Sequence, residues 1–247
     1  MRQLDYSRVE NILIKWLQQR VSEAGASGVV VGLSGGIDSS VTGVICKKAF
    51  ADQLLGIMMP CHSKEQDTQD ARLLAERYHI NYLVKDLSSV YDQYLELFAV
   101  KETEEQMLAF ANIKPRLRMV TLYYYAAELN YLVVGTDNWS ELKIGYFTKY
   151  GDGGVDLAPL GRLVKTEVRE LARYLDIPQA IIEKTPSAGL WQGQTDEKEM
   201  GFTYQVLDRY ILTGEAKPEE KARIEELAGK SVHKLQPLPI PERRLFL

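Results

Sequence analysis

The stretch from Val29 to Ser40 reads VVVGLSGGIDSS, and it decides how the chain is expected to fold. Its first three residues are β-branched and do not alternate with polar residues, which is typical of a strand covered on both faces of a parallel sheet. The glycines and serines that follow predict a tight loop, and a helix is expected to begin near Asp38. A strand that passes through a glycine-rich loop into a helix is the phosphate-binding unit of open α/β sheets.

Strands and helices continue to alternate along the first half of the chain. An amphipathic helix is predicted from Val9, because apolar residues recur there at helical spacing. Further strands are predicted at 54–59, 82–84 and 131–134, and helices at 65–78 and over most of 90–130, with Pro115 as a break or a first-turn residue. Alternating strands and helices predict an α/β fold with a doubly wound, mostly parallel sheet and helices on both faces.

The second half of the chain is less regular. A polar, glycine-rich stretch spans 136–154 and predicts binding loops. Helices are predicted at 165–175, 196–212 and 218–228, and they form a small helical C-terminal part. Since no linker divides the chain, we expect residues 1–247 to form a single domain.

The composition excludes several classes of protein. The 30 basic and 34 acidic side chains give a net charge of −4, which does not favour a nucleic-acid partner. The two cysteines, Cys46 and Cys61, lack the spacing of a zinc site or a disulfide framework. Neither a secretory signal nor a run of about 18 apolar residues is present, so we expect a cytoplasmic protein with no membrane partner.

The loop itself indicates an ATP-binding site. Gly35 and Gly36 allow the backbone to approach an anion closely, and Ser34, Ser39 and Ser40 add hydroxyl donors. Asp38 is unusual here, because a carboxylate beside a polyphosphate repels it unless a cation lies between them. Asp38 is therefore interpreted as a magnesium ligand, and the alternative is an N-terminal helix cap.

The loop contains no lysine and its glycines are adjacent, so it matches neither GxxxxGK[ST] nor GxGxxG. It instead resembles the SGGxDS loop of the N-type ATP pyrophosphatases, which cleave ATP to AMP and pyrophosphate while adenylating a substrate. Four later segments, with QTDE at 194–197 and HK at 233–234, resemble the NAD synthetases of this superfamily in the family's order. These segments are NIKPRLRM at 112–119, GTDNWSE at 135–141, TKYGDGG at 148–154 and PSAGLW at 186–191.

The resemblance implies a reaction and a set of site residues. NAD synthetases convert nicotinic acid adenine dinucleotide (deamido-NAD), ATP and ammonia into NAD, AMP and pyrophosphate, in the last step of NAD biosynthesis. It implies that Asp38 and Glu141 bind Mg²⁺, and that no protein nucleophile takes part. The implied ATP-binding residues are Gly32, Leu33, Ser34, Gly35, Gly36, Ile37, Asp38, Ser39, Thr136, Lys165 and Ser187. The implied deamido-NAD-binding residues are Arg116, Lys149, Asp156, His233 and Lys234.

Some of these assignments have alternatives. Arg116 and Arg118 point in different directions on a helix, so at least one is expected to be a solvated or partner-facing charge. Residues 148–154 could form a tight hairpin, and Glu141 could be a surface carboxylate. Pro115 stands where the family commonly has Ala, which could shift the start of the local helix.

The resemblance also implies partners. A nitrilase-type glutaminase domain does not fit within 247 residues, so we expect the ammonia-dependent form, using free ammonia or ammonia from a separate protein. The family is dimeric, which implies a homodimer. The aromatic stretch 122–125 is compatible with an interface or with the core.

Two other functions remain open. The chain could be another ATP pyrophosphatase that adenylates a different carboxylate or a tRNA base. It could also be a nucleotide-binding sensor that catalyses no reaction.

Overall fold

The computed structural model describes residues 4–98, 104–191 and 193–243. Its described part contains one four-stranded parallel sheet with the strand order β3-β2-β1-β4. The strands are β1 (Gly28–Gly32), β2 (Leu54–Met58), β3 (Tyr82–Val84) and β4 (Tyr131–Val134). The predicted α/β fold with a parallel sheet is confirmed, and the predicted strands agree with the observed ones to within one residue.

Helices surround the sheet. Those of the first half are α1 (Tyr6–Glu23), α2 (Ile37–Phe50), α3 (Glu65–Arg77), α4 (Ser88–Leu97), α5 (Glu104–Ala111) and α6 (Ile113–Leu129). Those of the second half are α7 (Trp139–Ile144), α8 (Lys165–Tyr174), α9 (Gln179–Ile182), α10 (Asp196–Met200), α11 (Tyr204–Thr213) and α12 (Pro218–Leu235).

The central strand β1 is buried on both faces. Val29 and Val31 pack into one hydrophobic core together with residues of α1, α2, α3 and α8. Val30 faces the opposite core, which includes residues of α4 and α6. All three valines are fully buried, which explains why this strand shows no polar alternation.

The C-terminal helices form a smaller core of their own around Ile144, Met200, Leu207 and Ile224. The predicted single helix at 196–212 is wrong, because the structure has two helices there, α10 and α11. Gly201 has φ +85° and ends α10, and the Thr203 side chain then caps the start of α11.

Two more helical features differ from the sequence-based expectation. The stretch 136–154 contains the helix α7, whose start is stabilised by reciprocal hydrogen bonds between Asn138 and Glu141. The last helix, α12, continues to Leu235 rather than ending near residue 228. Pro115 lies in the first turn of α6, where its missing N–H needs no helical partner, so it does not break the helix.

The strand order locates the binding edge of the sheet. The chain moves outward from β1 to β2 and β3, and then returns to place β4 on the other side of β1. In open parallel sheets, ligands bind at the carboxyl ends of the strands where the order reverses. Here that position lies between β1 and β4.

Candidate active site

A cavity of about 1650 Å³ opens at this edge of the sheet. Its walls include the ends of three strands, at Gly32, Met58 and Val134, and it continues toward α6 and the segment 184–191. The cavity is large enough for more than one nucleotide-sized ligand.

The loop after β1 is shaped by its own hydroxyl groups. Ser39 Oγ lies 2.9 Å from Ser34 Oγ and donates to the Gly36 carbonyl at 3.0 Å. Gly35 has φ +74°, and a Cβ there would lie 2.1 Å from the Asp67 carbonyl oxygen, so only glycine fits. Ser40, expected to offer a donor to the anion, is buried and donates to the Gly36 carbonyl instead.

Asp38 and Glu141 converge on the ammonium group of Lys165. Lys165 Nζ lies 2.5 Å from Asp38 Oδ2 and 3.0 Å from Glu141 Oε1. Asn138 donates to the other oxygen of Asp38 at 2.9 Å. The N-cap of α2 is Gly36, so Asp38 does not cap the helix. Glu141 is 12% exposed at its side chain, which excludes a surface carboxylate.

Burial shifts the proton affinities of these groups. Burial and the nearby Asp38 raise the pKa of Glu141 to about 7, although Lys165 opposes the shift. Burial and neighbouring carboxylates also raise the pKa of Asp137. Burial alone would lower the pKa of Lys165, but Asp38 and Glu141 outweigh it and raise that pKa. The site thus has an excess of carboxylates around one ammonium group, which favours binding of a further cation.

Helix α8 presents Lys165 through a buried network. The Lys165 backbone N–H donates to Ser140 Oγ at 3.0 Å, and the Thr166 N–H donates to Asp208 Oδ2 at 2.7 Å. Ser140 in turn donates to Asp208 Oδ1 at 2.5 Å. Ser140 and Asp208 therefore accept the first two N–H groups of α8, and Asp208 of α11 holds both the Ser140 hydroxyl and the helix start in place.

Tyr204 supports the same centre from the C-terminal core. Its hydroxyl lies 3.3 Å from Glu141 Oε1 and 2.9 Å from Asp196 Oδ2, and its ring centroid lies 5.0 Å from Lys165 Nζ. The side chain is fully buried. This role of Tyr204 could not be predicted from the sequence, because a tyrosine in an amphipathic helix carries no local signal of it.

The donor set fits one hard divalent ion shared with a ligand. No group of three or more His, Cys, Asp and Glu side chains in the described residues is arranged to hold a metal by itself. Magnesium commonly uses only one or two protein carboxylates and completes its shell with phosphate oxygens and water. Asp38 and Glu141, beside a phosphate-binding loop, match that pattern.

Comparison with known proteins identifies the family. A family model described as NAD synthase matches residues 9–238. This chain belongs to the NAD synthase family. A relative in Carboxydothermus hydrogenoformans, named NH(3)-dependent NAD(+) synthetase, is 54% identical over 93% of this chain and 94% of its own length.

Two solved structures superpose on nearly the whole chain. An NMN synthetase from Francisella tularensis superposes with a TM-score of 0.92 at 38% identity, covering 97% of this chain and 99% of its own. An NH3-dependent NAD synthetase from Campylobacter jejuni has a TM-score of 0.80 at 29% identity, covering 97% of this chain and all of its own.

Most of the ATP-binding residues implied by the NAD synthase resemblance line the cavity. Gly35 is the exception, because it is packed against the backbone of Asp67. The lining residues of this set are Gly32, Leu33, Ser34, Gly36, Ile37, Asp38, Ser39, Thr136, Lys165 and Ser187. Glu141, the second implied Mg²⁺ ligand, also lines the cavity.

Only one of the implied deamido-NAD-binding residues lines the cavity. Lys234 lines the cavity and donates to the Gly145 and Phe147 carbonyls, whereas Arg116, Lys149, Asp156 and His233 lie outside its walls. Lys149 Nζ donates to the His233 carbonyl at 2.8 Å, and Arg116 contacts the Lys149 carbonyl at 3.4 Å. Asp156 accepts bonds from Tyr123 and from the Val133 N–H. Their substrate roles remain predictions.

The two arginines of α6 diverge as expected. Arg116 is exposed, while Arg118 lines the cavity and donates to the Met59 carbonyl at 3.1 Å. Lys114, one helical turn before Arg118, also lines the cavity and was missed by the sequence analysis. Lys114 lies within the segment 112–119 that resembles the family, but the sequence of that segment does not predict that its side chain is buried.

Residues 148–154 form successive turns rather than a hairpin, since no described strand adjoins them. Thr148 donates to Asn112 Oδ1 at 2.6 Å, which ties these turns to the start of α6. No helix of the described residues is long and apolar enough to cross a membrane.

Proposed function

We propose that this protein amidates the carboxylate of deamido-NAD with ammonia, using ATP and Mg²⁺, to form NAD, AMP and pyrophosphate. The observation that carries the proposal is the convergence of Asp38 and Glu141 beside the glycine-rich loop, in a chain of the NAD synthase family. This arrangement suits the departure of pyrophosphate, because a bound cation and Lys165 would neutralise its charge.

In the first step, an oxygen of the nicotinate carboxylate attacks the α-phosphorus of ATP. A P–O bond forms, and the bond to pyrophosphate breaks. This chain's residues bind and align the reactants, since phosphoryl-type transfers need charge neutralisation more than a protein nucleophile. Lys165, Ser34 and Ser39 line the cavity beside the loop, and Lys165 Nζ and the Ser34 hydroxyl would donate to the leaving group.

Asp38 and Glu141 would hold the Mg²⁺ ion, which when bound supplies positive charge to the pyrophosphate oxygens. Asn138 supports this role, because it orients the Asp38 carboxylate through a direct hydrogen bond. Lys165 would remain between the carboxylates and the phosphates as a second cation.

In the second step, ammonia attacks the carbonyl carbon of the adenylated carboxylate. A C–N bond forms, the C–O bond to AMP breaks, and one proton leaves the nitrogen. Free ammonia, or ammonia from a separate protein, would be the donor.

We further propose a homodimer in the cytoplasm. Val120 and Tyr124, one turn apart on α6, are 60% and 61% exposed. An exposed apolar strip of this kind suits a subunit interface. A partner subunit could bring additional groups to Arg116, Lys149, Asp156 and His233, which lie outside the cavity of the single chain.

A second candidate is the corresponding reaction on nicotinic acid mononucleotide. The similarity to the NMN synthetase structure favours it, because that protein covers nearly the whole chain at a TM-score of 0.92. Both reactions amidate the same nicotinate carboxylate, so the catalytic centre does not distinguish them.

The proposal is tested by supplying ATP, Mg²⁺ and ammonium with either deamido-NAD or nicotinic acid mononucleotide. We expect NAD, AMP and pyrophosphate to appear in equal amounts with deamido-NAD. A higher kcat/KM with the mononucleotide would favour the second candidate. ATP cleavage with neither nucleotide, but with another carboxylate or tRNA, would indicate a different ATP pyrophosphatase.

The Asp38→Asn variant separates an enzyme from a nucleotide sensor. If Asp38 acts on the departing pyrophosphate, this variant loses turnover and retains most of its affinity for adenosine. A sensor would bind ATP and release neither AMP nor pyrophosphate even with the wild-type sequence.

A further inference from the structure

Two cations of α6 line the cavity away from Asp38 and Glu141. Lys114 is 7% exposed, and its Nζ donates to the Leu190 carbonyl at 2.9 Å. Arg118 donates from Nε to the Met59 carbonyl at the end of β2. Among the ion pairs between described residues, none includes Lys114 or Arg118.

Two other lysines of the cavity differ. Lys165 is buried and contacts two carboxylates, and the partly exposed Lys184 contacts Asp67 and Asp70. Burying a cation without a counter-ion is costly, because carbonyl oxygens replace its hydration only in part. Burial accordingly lowers the pKa of both Lys114 and Arg118. An anionic ligand would offset this cost.

We propose that Lys114 and Arg118 together bind a phosphoryl group of one of the nucleotide substrates. The two residues are four apart on α6, so their side chains share one face of the helix. An arginine fork and an ammonium group on one face suit the several oxygens of a phosphoryl group.

The position in the cavity explains why a second cationic site is needed. Asp38 and Glu141 lie between β1 and β4, whereas Arg118 lies on the other side of β1, at the end of β2. A phosphoryl group bound there would lie on the other side of β1 from Asp38 and Glu141. The inference rests on the proposed function for the identity of the ligands, since ATP and the nicotinate nucleotide both carry phosphoryl groups.

The test measures the separate Kd values of ATP and deamido-NAD by calorimetry for Lys114→Gln and Arg118→Gln. We expect both variants to raise the Kd of the same nucleotide by at least about tenfold, which is the loss typical of a charge-assisted hydrogen bond. Lys114→Arg keeps the charge and should bind within about threefold of the wild type. Arg118→Lys keeps the charge but loses the planar pair of donors, so its affinity should lie between those of the wild type and Arg118→Gln. Arg72→Gln removes an exposed charge on α3 and serves as the matched control.

The nucleotide whose Kd rises is the one that supplies the phosphoryl group. The melting temperature without ligand provides the structural readout, and we expect it to be unchanged or raised in both Gln variants, because each loses an unpaired buried charge.

Unchanged Kd values for both nucleotides would overturn the proposal. Normal affinity in Lys114→Gln alone would also do so, because Gln can still donate to the Leu190 carbonyl and the ammonium charge would then be dispensable. If one variant raised the Kd of ATP and the other raised the Kd of deamido-NAD, the two residues would not share a site. A wild-type protein that binds ATP but forms no NAD would contradict the proposed function and not the phosphoryl site.

Discussion

The ammonium group of Lys165 lies 2.5 Å from Oδ2 of Asp38, at the carboxyl edge of the sheet. Its side chain is 3% exposed, and it also contacts Glu141. Lys165 thus neutralises the two carboxylates that we propose as magnesium ligands. This relationship links the stability of the site to its proposed chemistry.

Lys165→Met should lower both the stability of the protein and its turnover. Removing the ammonium leaves two buried carboxylates unpaired, which should lower the free energy of unfolding by about 3 kcal/mol. Turnover should fall by at least about 100-fold, because a cation on the leaving group is lost. Urea unfolding and pyrophosphate release measure the two effects.

Added Mg²⁺ should raise the melting temperature of this variant more than that of the wild type, since the ion would replace the missing charge. The exposed Lys143 of α7 provides a matched control, and Lys143→Met should change stability by less than about 0.5 kcal/mol. Equal responses of Lys165→Met and wild type to Mg²⁺ would contradict the magnesium assignment.

Glu141 should make stability depend on pH. Its pKa is raised from 4.5 to about 7 in the folded protein, so the folded state holds this proton more tightly than the unfolded state does. Its contribution to stability is therefore most favourable below pH 4.5 and declines as pH rises toward about 7. Above that pH, the contribution should stay constant.

Chemical unfolding of the wild type and of Glu141→Gln across this pH range checks the prediction. The Gln variant lacks the titrating group, so its stability relative to the wild type should increase between pH 4.5 and about 7. A difference that is flat across the range would show that the Glu141 pKa is not raised.

Gly35 and Gly36 should respond differently to substitution. Gly35→Ala forces a left-handed conformation and a clash with the Asp67 carbonyl, so it should cost at least about 2 kcal/mol of stability and weaken ATP binding. Gly36 has φ −93°, and its added Cβ would meet the movable Ser34 hydroxyl at 3.3 Å.

Gly36→Ala is therefore the control and should retain most of the stability. Urea unfolding and calorimetric titration with ATP compare the two variants. Equal losses of stability would mean that the Gly35 backbone conformation is not the cause.

The exposed strip on α6 should mediate dimerisation. Val120→Asp and Tyr124→Asp each place a charge in the proposed interface, where burying it would be unfavourable. We expect sedimentation velocity to show a shift from dimer to monomer in both variants. Leu73→Asp changes a residue of α3, on the opposite face of the sheet from α6, that is 50% exposed, and it should leave the dimer intact. A monomeric wild type would remove the basis for the interface.

The sheet could be predicted because its strands carry strong local signals. Val29 to Val31 form a continuous apolar run, and Tyr131 to Val134 repeat the pattern before Gly135. The break between α10 and α11 could also have been predicted, since glycine followed closely by threonine at 201–203 is a helix end followed by a helix start. The pattern of apolar residues continues across the break and hid it.

The residues of the candidate active site could be predicted only in part. The motif resemblance singled out Asp38, Glu141 and Lys165, and they are in contact in the structure. Tyr204 and Asp208, which hydrogen-bond to Glu141 and to the start of α8, belong to α11. They lie far along the chain, so only the tertiary structure brings them to the site. The same reason applies to Lys114, whose burial depends on the packing of the segment that contains Leu190.

In the proposed reaction, the nicotinate carboxylate is adenylated in this cavity before ammonia attacks. The most direct measurement uses deamido-NAD labelled with ¹⁸O in that carboxylate, with ATP, Mg²⁺ and ammonium, followed by mass spectrometry of the products. We expect one labelled oxygen to be transferred to AMP for each NAD formed, and none to enter pyrophosphate. Unlabelled AMP, or label in pyrophosphate or orthophosphate, would contradict it.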